Sequence, residues 1–285
     1  NVNNGAWAGT GFEPGAPPTA GRMSSGAWAF TGWSNGNLAF GGTQITAATD
    51  YTRGATAVAQ TTGGLYAFTN ANIGSSSLGF QPGGSDWAPG TATLRVQNNT
   101  GLNITDLAVA YEVWIRNDQA RGNSFNFSWS TDDLSYTPVG ALDLVSAAAV
   151  DALGFQVNNR STTITGLNVA PGGYIYLRWS GADVNGSGSR DEFALDDIVV
   201  NATGSPVPNT VVQFTTGSST VSEGAGSTSL SVSITNPAAV QTTVDVVITA
   251  GSAARVNNYT TQTLIFPAND GSTQSQSITI TDDGV

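Results

Sequence analysis

The chain contains no cysteine, no histidine and no lysine. Without cysteine or histidine it cannot build a Ser-His-Asp or Cys-His catalytic group, nor a zinc, haem or iron–sulfur site of the usual kind. Without lysine it has no Schiff base, no phosphate-loop lysine and no lysine isopeptide crosslink. The side chains that remain offer carboxylate, amide and hydroxyl oxygens, which suit a hard cation such as calcium.

Charge and long apolar runs are also scarce. Charged residues make up 10% of the chain and the net charge is −11, which disfavours nucleic acids as partners. No apolar run is long enough to span a membrane, so we predict no membrane span. An acidic, cysteine-free composition rich in Thr, Ser, Asn and Gly predicts an extracellular or cell-surface bacterial protein. Because the chain starts at Asn1, we expect a processed or excised fragment of a larger precursor.

What is present is a series of short β-rich runs separated by Gly, Asn, Asp and Pro. The clearest runs lie at residues 91–97, 108–116, 124–130, 162–167 and 173–180. Turn residues recur about every ten positions, which is typical of a sandwich or jelly roll. The composition changes at 202–210, where small polar residues and two prolines indicate a linker. We therefore predict an all-β chain with two tandem β-sandwich domains: a jelly roll at 1–203, a linker at 204–210 and a smaller sandwich at 211–285.

The second domain carries VVQFTTGSSTVSEGAG at 211–226, SLSVSITNPA at 229–238 and NNYTTQTLIFPANDGSTQSQSITITDD at 257–283. These segments resemble the Calx-β family, which implies an immunoglobulin-like sandwich. The resemblance also implies a calcium site containing Glu223, Asn258 beside Tyr259, and the acidic pair Asp282 and Asp283. Asn258 stands where the family has aspartate, which removes one charge from the site. The family continues for another strand or two, so we expect an incomplete sandwich whose exposed edge can pair with another copy.

The first domain carries GFEPG at 11–15, SFNFSWSTDDLSYTPV at 124–139 and DEFALDDIVV at 191–200. These motifs are similar to those of MAM domains and calcium-containing carbohydrate-binding modules of bacterial secreted proteins. The resemblance implies that the first and last strands lie side by side. Glu13, Asp196 and Asp197 would then share one structural calcium ion.

Strand alternation gives a separate reason to examine the two aspartates. If 192–200 alternates regularly, either Asp196 or Asp197 faces a largely apolar side, which is costly without a metal or a partner. The alternative is a strand end at which both acids meet solvent. Asp183 and Asn185 have the spacing of half a calcium loop, but Ala194 stands where such a loop needs glutamate, so a Gly/Ser hairpin loop is the preferred interpretation.

A candidate binding face comes from two strands. In 108–116, alternation predicts that Tyr111, Val113 and Ile115 are core and that Glu112, Trp114 and Arg116 face outward. In 173–180, the same pattern predicts a core of Ile175, Leu177 and Trp179, with Tyr174, Tyr176 and Arg178 outward. If the two strands are neighbours, one sheet face combines aromatic planes with guanidinium donors, which suit sugar rings or an acidic protein surface. The alternative is that these side chains only cover the sheet.

The sequence thus predicts a non-catalytic, calcium-stabilised binding, adhesive or structural module that binds a glycan or a surface protein. Two alternatives stay open: accessory domains of a larger secreted hydrolase, and a subunit of an extracellular filament or surface layer assembled by strand exchange. A catalytic carboxylate pair of the glycosidase kind is the least favoured hypothesis, because the acids cluster in turns and at strand ends.

Overall fold

The computed structural model describes residues 6–69, 76–282 and 284. The chain divides into two compact units, Asn1–Pro206 and Val207–Val285. Both consist of β-strands, which confirms the predicted all-β class. The helical segments described are short 3-10 turns at Gly140–Leu142, Glu223–Ala225 and Ala253–Val256. In the part of the chain that the structure describes, no helix has the length and hydropathy to cross a membrane.

The first unit contains fifteen of the strands. The first seven are β1 (Phe12–Glu13), β2 (Met23–Ser24), β3 (Trp28–Thr31), β4 (Ala55–Thr56), β5 (Gly64–Phe68), β6 (Ser77–Gln81) and β7 (Gly90–Gln97). The next eight are β8 (Leu102–Arg116), β9 (Arg121–Ser130), β10 (Thr137–Pro138), β11 (Leu144–Val145), β12 (Phe155–Ile164), β13 (Tyr174–Gly181), β14 (Asp183–Gly186) and β15 (Glu192–Pro206). Because β15 continues to Pro206, the predicted linker at 204–210 begins inside this strand.

Two large sheets form the sandwich of the first unit. The seven-stranded sheet has the order β10-β9-β13-β7-β3, with β11 and β14 also paired to β9. The six-stranded sheet has the order β12-β8-β15-β6-β5-β4. A separate parallel pair joins β1 to β2.

The core of the first unit lies between the two large sheets and is rich in aromatic rings. Tyr111 of the six-stranded sheet packs at 5.3 Å, centroid to centroid, from Trp179 of the seven-stranded sheet. That pair is edge-to-face, whereas Phe193 stacks nearly parallel on Phe125, also at 5.3 Å. These inward side chains alternate with outward ones along each strand, so each sheet also presents an outer face.

Strand β15 contains a bulge that interrupts its alternation. Asp196 is opposite Glu112 and Val199 is opposite Ala110, so two residues, Asp197 and Ile198, lie opposite the single residue between those partners. Asp197 adopts a left-handed backbone conformation with φ 47°. Such a bulge adds one residue to one strand and shifts the inward set by one position.

The second unit has five strands: β16 (Val211–Phe214), β17 (Ser227–Thr235), β18 (Thr242–Val246), β19 (Gln262–Phe266) and β20 (Gln274–Thr279). They form a three-stranded sheet, β16-β17-β20, and a two-stranded sheet, β18-β19. Its small core contains Val232, Ile234, Val246, Leu264 and Phe266. Membership of the Calx-β family stays a prediction.

Candidate functional site

The predicted binding face is divided between two sheets. Alternation placed the side chains of both strands correctly, because the residues predicted to face inward on β8 and β13 are all buried. The condition for one shared face, that the two strands are neighbours, is not met: β8 pairs with β12 and β15, and β13 pairs with β7 and β9. Glu112, Trp114 and Arg116 therefore lie on the outer face of one sheet, and Tyr174, Tyr176 and Arg178 on that of the other.

On the six-stranded sheet, the predicted binding residues are engaged within the protein. Trp114 packs against a small outer cluster of Tyr66, Phe68, Phe155 and Ala194. Its indole N–H donates to a carboxylate oxygen of Glu112 at 3.0 Å. Arg116 donates from Nε to Asp118 at 2.7 Å. The side chains on this outer face form a second, smaller core, as expected if they only cover the sheet.

The seven-stranded sheet presents a different outer face. We use the term platform for six side chains on it or at its margin: Phe40, Arg95, Tyr136, Tyr174, Tyr176 and Arg178. All six are half-buried, so each keeps part of its surface accessible. Tyr176 sits directly opposite Arg95 in the antiparallel pairing of β13 with β7, and opposite Ser130 on β9. Side chains that are directly opposite share one face, so Tyr176 and Arg95 are immediate neighbours.

Arg95 is held between two aromatic rings. Its guanidinium carbon lies 4.5 Å from the centroid of Phe40 and 4.9 Å from that of Tyr174. Its Nε donates to the carbonyl oxygen of Gly26 at 2.6 Å. Phe40 also packs 5.9 Å from Tyr176. Cation–π contacts on two sides fix the guanidinium at the centre of the platform.

Arg178 anchors the other end of the platform. It stacks 3.5 Å from the centroid of Tyr136 and donates to Asp133 at 3.2 Å and to the hydroxyl of Thr93 at 2.9 Å. The hydroxyl of Tyr136 donates to the same carboxylate of Asp133. Burial, and then the bond to Asp133, raises the pKa of Tyr136, so its hydroxyl keeps its proton at neutral pH.

A depression of about 260 Å³ opens beside Arg178. Its walls combine the aromatic ring of Phe40 and the apolar side chain of Leu38 with the hydroxyls of Thr91 and Thr93. Binding sites for small molecules are concave, mostly apolar and furnished with a few fixed polar groups. The platform and this depression together are the candidate functional site.

Sequence reasoning found three of the platform residues and missed Phe40, Arg95 and Tyr136. Arg95 carried a usable signal, because alternation in 91–97 turns it to the face opposite Leu94 and Val96. Phe40 and Tyr136 come from loops, where periodicity gives no orientation. Asp132 accepts the hydrogen bonds of the adjacent turn from Leu134 and Ser135 at 2.9 Å, and its neighbour Asp133 pairs with Arg178 instead.

The predicted calcium ligands of the first domain do not come together. Strand β1, which carries Glu13, pairs with β2, whereas β15 pairs with β6 and β8. The expected adjacency of the first and last strands is therefore wrong. Glu13 accepts from the backbone N–H of Thr19 and from Arg22. Hydrogen bonds from Thr19, and then Arg22, lower the pKa of Glu13 to about 2.

The bulge explains why neither aspartate of the DD pair is forced inward. Before it, Phe193 and Leu195 are buried in the core; after it, Ile198 and Val200 pack against the core instead. Asp197 is exposed, and its N–H donates to Asp196 at 3.0 Å. Asp197 thus meets solvent, as in the alternative interpretation, but inside β15 and not at a strand end, and Asp196 is half-buried.

Asp183 and Asn185 lie on strand β14 and not in a hairpin loop. Asp183 forms ion pairs with both Arg121 and Arg190, and the hydrogen bond from Arg190 lowers its pKa. Asn185 is exposed and pairs in register with Gly122. Across the described ranges, no group of three acidic side chains is arranged to hold a metal ion. The strand pairing thus does not set Glu13 beside Asp196 and Asp197, and calcium binding by the first domain stays a prediction.

In the second unit, an arginine lies beside the predicted calcium ligands. Arg255 donates to Glu223 at 3.1 Å, and its carbonyl oxygen accepts from Thr281. Asn258 has a left-handed backbone conformation. Asp282 is exposed and accepts from the N–H of Gly284 at 3.0 Å, and Asp283 lies outside the described residues. Calcium binding by this unit stays a prediction.

Two buried carboxyl groups adjoin the six-stranded sheet. Glu192 and Asp191 are both fully buried, and each has one oxygen with no hydrogen-bond partner among the described residues. The other Glu192 oxygen accepts from the N–H of Gln60 at 2.6 Å. The pKa of Glu192 is raised to about 8, mainly by burial; the hydrogen bond from Gln60 and the charge of Arg116 lower it, and the charge of Asp118 raises it. Neither group lines the depression beside the platform.

Comparison with known proteins gives only distant similarity. No family model matches the chain, and no curated protein matches it. Among solved structures, the chain is similar to a carbohydrate-binding module specific for non-crystalline cellulose, CBM28, at 10% identity and a TM-score of 0.31, over 44% of this chain and 73% of that one. It is also similar to TmCBM61, solved with β-1,4-galactotriose, at 12% identity and a TM-score of 0.27, over 45% and 72%.

A third similar structure is the N-terminal cellulose-binding domain of Cellulomonas fimi β-1,4-glucanase C, at 13% identity and a TM-score of 0.29, over 62% of this chain and 89% of that one. Similarity this distant carries no argument about what the present chain binds. What the chain binds is therefore inferred below from the geometry of the platform.

Proposed function

We propose that the first unit is a non-catalytic carbohydrate-binding module that holds a glycan on the outer face of its seven-stranded sheet. The observation that carries this proposal is the platform itself, in which Tyr176 lies among other aromatic rings and guanidinium groups next to a depression lined with hydroxyls. The opposite outer face has similar residue types, but they are engaged in packing and internal hydrogen bonds.

The chemistry of the platform suits a sugar. A pyranose ring has an apolar face of C–H groups, which packs on an aromatic plane, and a rim of hydroxyls, which hydrogen-bonds to planar donors. Within the platform, Arg95 covers Phe40 and Tyr174, and Arg178 covers Tyr136. Among the described residues, no guanidinium lies over the ring of Tyr176. We therefore assign the stacking position to Tyr176 and hydroxyl recognition to the Arg178–Asp133 pair.

The test is a glycan array probed with the intact chain and with Tyr176→Ala. Removing one stacking ring should lower affinity for the best array ligand about tenfold, which corresponds to about 1.4 kcal/mol. Because Tyr176 is half-buried on an outer face, the variant should stay folded, as a thermal melt will show. The absence of any glycan ligand, or full binding by the folded variant, would refute the proposal.

Four further features stay proposals: calcium stabilisation, a secreted or cell-surface location, an accessory role beside a hydrolase, and homo-assembly by strand exchange. A chelator titration addresses the first. If calcium is bound, excess chelator lowers the melting temperature, because a ligand that binds only the folded state stabilises it. Elemental analysis of the purified chain gives the independent check.

A further inference from the structure

Arg95 differs from most arginines of this chain. Seven of the nine arginines form ion pairs with carboxylates in the described part of the chain. Arg95 forms none there, although it lies in a protein with a net charge of −11. The carboxylate nearest to the platform, Asp133, is already paired with Arg178.

The guanidinium of Arg95 is also pre-organised. Its guanidinium carbon lies 4.5 Å from the centroid of Phe40 and 4.9 Å from that of Tyr174, and Gly26 accepts from its Nε. Its Nη1 and Nη2 groups have no hydrogen-bond partner among the described residues. These two nitrogens form the edge of the guanidinium that pairs with a planar carboxylate through two parallel hydrogen bonds. A fixed donor edge of this kind loses little conformational entropy when it binds an anion.

Arg95 is placed directly beside the proposed stacking ring. In the antiparallel pairing, Tyr176 and Arg95 are opposite each other, which sets their Cβ atoms about 5 Å apart. A sugar stacked on Tyr176 therefore has a substituent of its ring within reach of Nη1 and Nη2. In a hexuronic acid, the carboxylate is attached directly to the ring.

From this juxtaposition we infer that the platform selects glycans that contain hexuronic acids and that Arg95 binds the uronate carboxylate. The inference rests on the proposed function and adds the substrate class. Ion pairing with one guanidinium is local, since charges separated by more than about 8 Å are screened at physiological ionic strength. The overall negative charge of the chain therefore does not prevent it.

Calorimetric titration with a galacturonate tetrasaccharide and with its methyl ester tests this inference. The two probes share the sugar ring and differ in the charge of the carboxyl group. The intact chain should bind the free acid at least tenfold more tightly than the ester. Arg95→Gln should bring the ratio of the two affinities close to one, and Arg95→Lys, which keeps the charge but loses the paired donors, should give an intermediate ratio.

Arg255→Gln is the matched control, because it makes the same change of charge in the second unit and should leave the ratio unchanged. Equal affinity of the intact chain for acid and ester, or an unchanged ratio in Arg95→Gln, would overturn the inference. So would equally tight, Arg95-dependent binding of a sulfated neutral tetrasaccharide, or of an acidic peptide in place of a glycan. If neutral glycans bind at Tyr176 and uronates do not, the inference fails while the proposed function stands; if no glycan binds, both fail.

Discussion

The two outer faces of the first unit contain the same kinds of residue in different states. On the six-stranded sheet, Trp114 packs into an aromatic cluster and donates to Glu112. On the seven-stranded sheet, Tyr176 packs beside Phe40 and Tyr174, and Arg95 has no carboxylate partner among the described residues. The difference shows that aromatic and arginine residues on an outward-facing strand do not by themselves make a binding site. What matters is whether neighbouring elements already occupy their faces and donors.

We call the outer face of the six-stranded sheet, around Trp114, the covered face, and that of the seven-stranded sheet, which carries the platform, the open face. The largest expected change in stability lies on the covered face. Trp114→Ala removes the ring that closes the cluster of Tyr66, Phe68 and Phe155, so the free energy of unfolding should fall by about 2–3 kcal/mol. Chemical denaturation measures this change. Tyr174→Ala on the platform is the matched control and should cost less than about 1 kcal/mol. Equal losses for the two variants would contradict the distinction between the faces.

The next effect concerns glycan binding on the open face. The double variant Tyr174→Ala/Tyr176→Ala should lower affinity for the best array glycan by more than tenfold, because it removes the stacking ring and one ring that holds Arg95. Trp114→Phe keeps an aromatic ring in the opposite cluster and should bind as the parent chain does. If the affinity for the glycan falls in Trp114→Phe and not in the double variant, the glycan binds the six-stranded sheet, and the proposed site is wrong.

The difference between the two outer faces of the first unit could be predicted only in part from the sequence. Period-two alternation correctly gave the inward residues of β8 and β13, because each strand has one face in a single continuous core. It could not reveal that the strands belong to different sheets, since the choice of partner depends on tertiary packing. Runs predicted at 91–97 and 173–180 match β7 and β13 closely, whereas the run predicted at 162–167 overlaps only the end of β12.

The prediction that Asp196 or Asp197 faces inward is wrong because of the local backbone conformation. The prediction that one aspartate faces inward assumed regular alternation through 192–200. A left-handed residue at Asp197 adds one position and sends both acids away from the core. Asp is one of the few residue types that tolerates this conformation, so the sequence was compatible with a bulge but did not require one. Phe40 and Tyr136 were missed because loops position them.

The stability of the chain should depend on pH through Glu192 on the covered face. Glu192 has a pKa of about 8 in the folded chain, above the ordinary value of 4.5. The folded state therefore holds this proton more tightly, and the stability linked to it is complete below about pH 4.5 and is lost as the pH rises through 8. Arg116, Asp118 and Tyr66 are the charged or titratable groups around it.

Glu192→Gln tests this linkage, because glutamine has the same shape and carries no charge. Relative to the parent chain, the variant should gain stability between pH 7 and 9 and gain little at pH 5, as measured by thermal melts across that range. A stability difference independent of pH would contradict the assignment of the proton to Glu192.

The smallest effect separates the bulge from the calcium hypothesis. Asp197→Gly should leave stability unchanged or raise it by up to about 1 kcal/mol, since glycine adopts a positive φ without strain. Asp197→Val should lower it by about 1 kcal/mol, because a β-branched residue is strained there. Both melts are to be repeated with added calcium. If Asp197 is a calcium ligand, the glycine variant will instead lose a calcium-dependent increase in melting temperature.

NMR mapping of a bound glycan tests most directly whether the glycan binds the open face and not the covered one. Titration of the isotope-labelled chain with the best array ligand should shift the backbone amides of Tyr174, Tyr176 and Arg95. The indole N–H of Trp114, which is hydrogen-bonded to Glu112 on the opposite face, should keep its position. A shift of that indole signal without changes at Tyr176 would contradict the account.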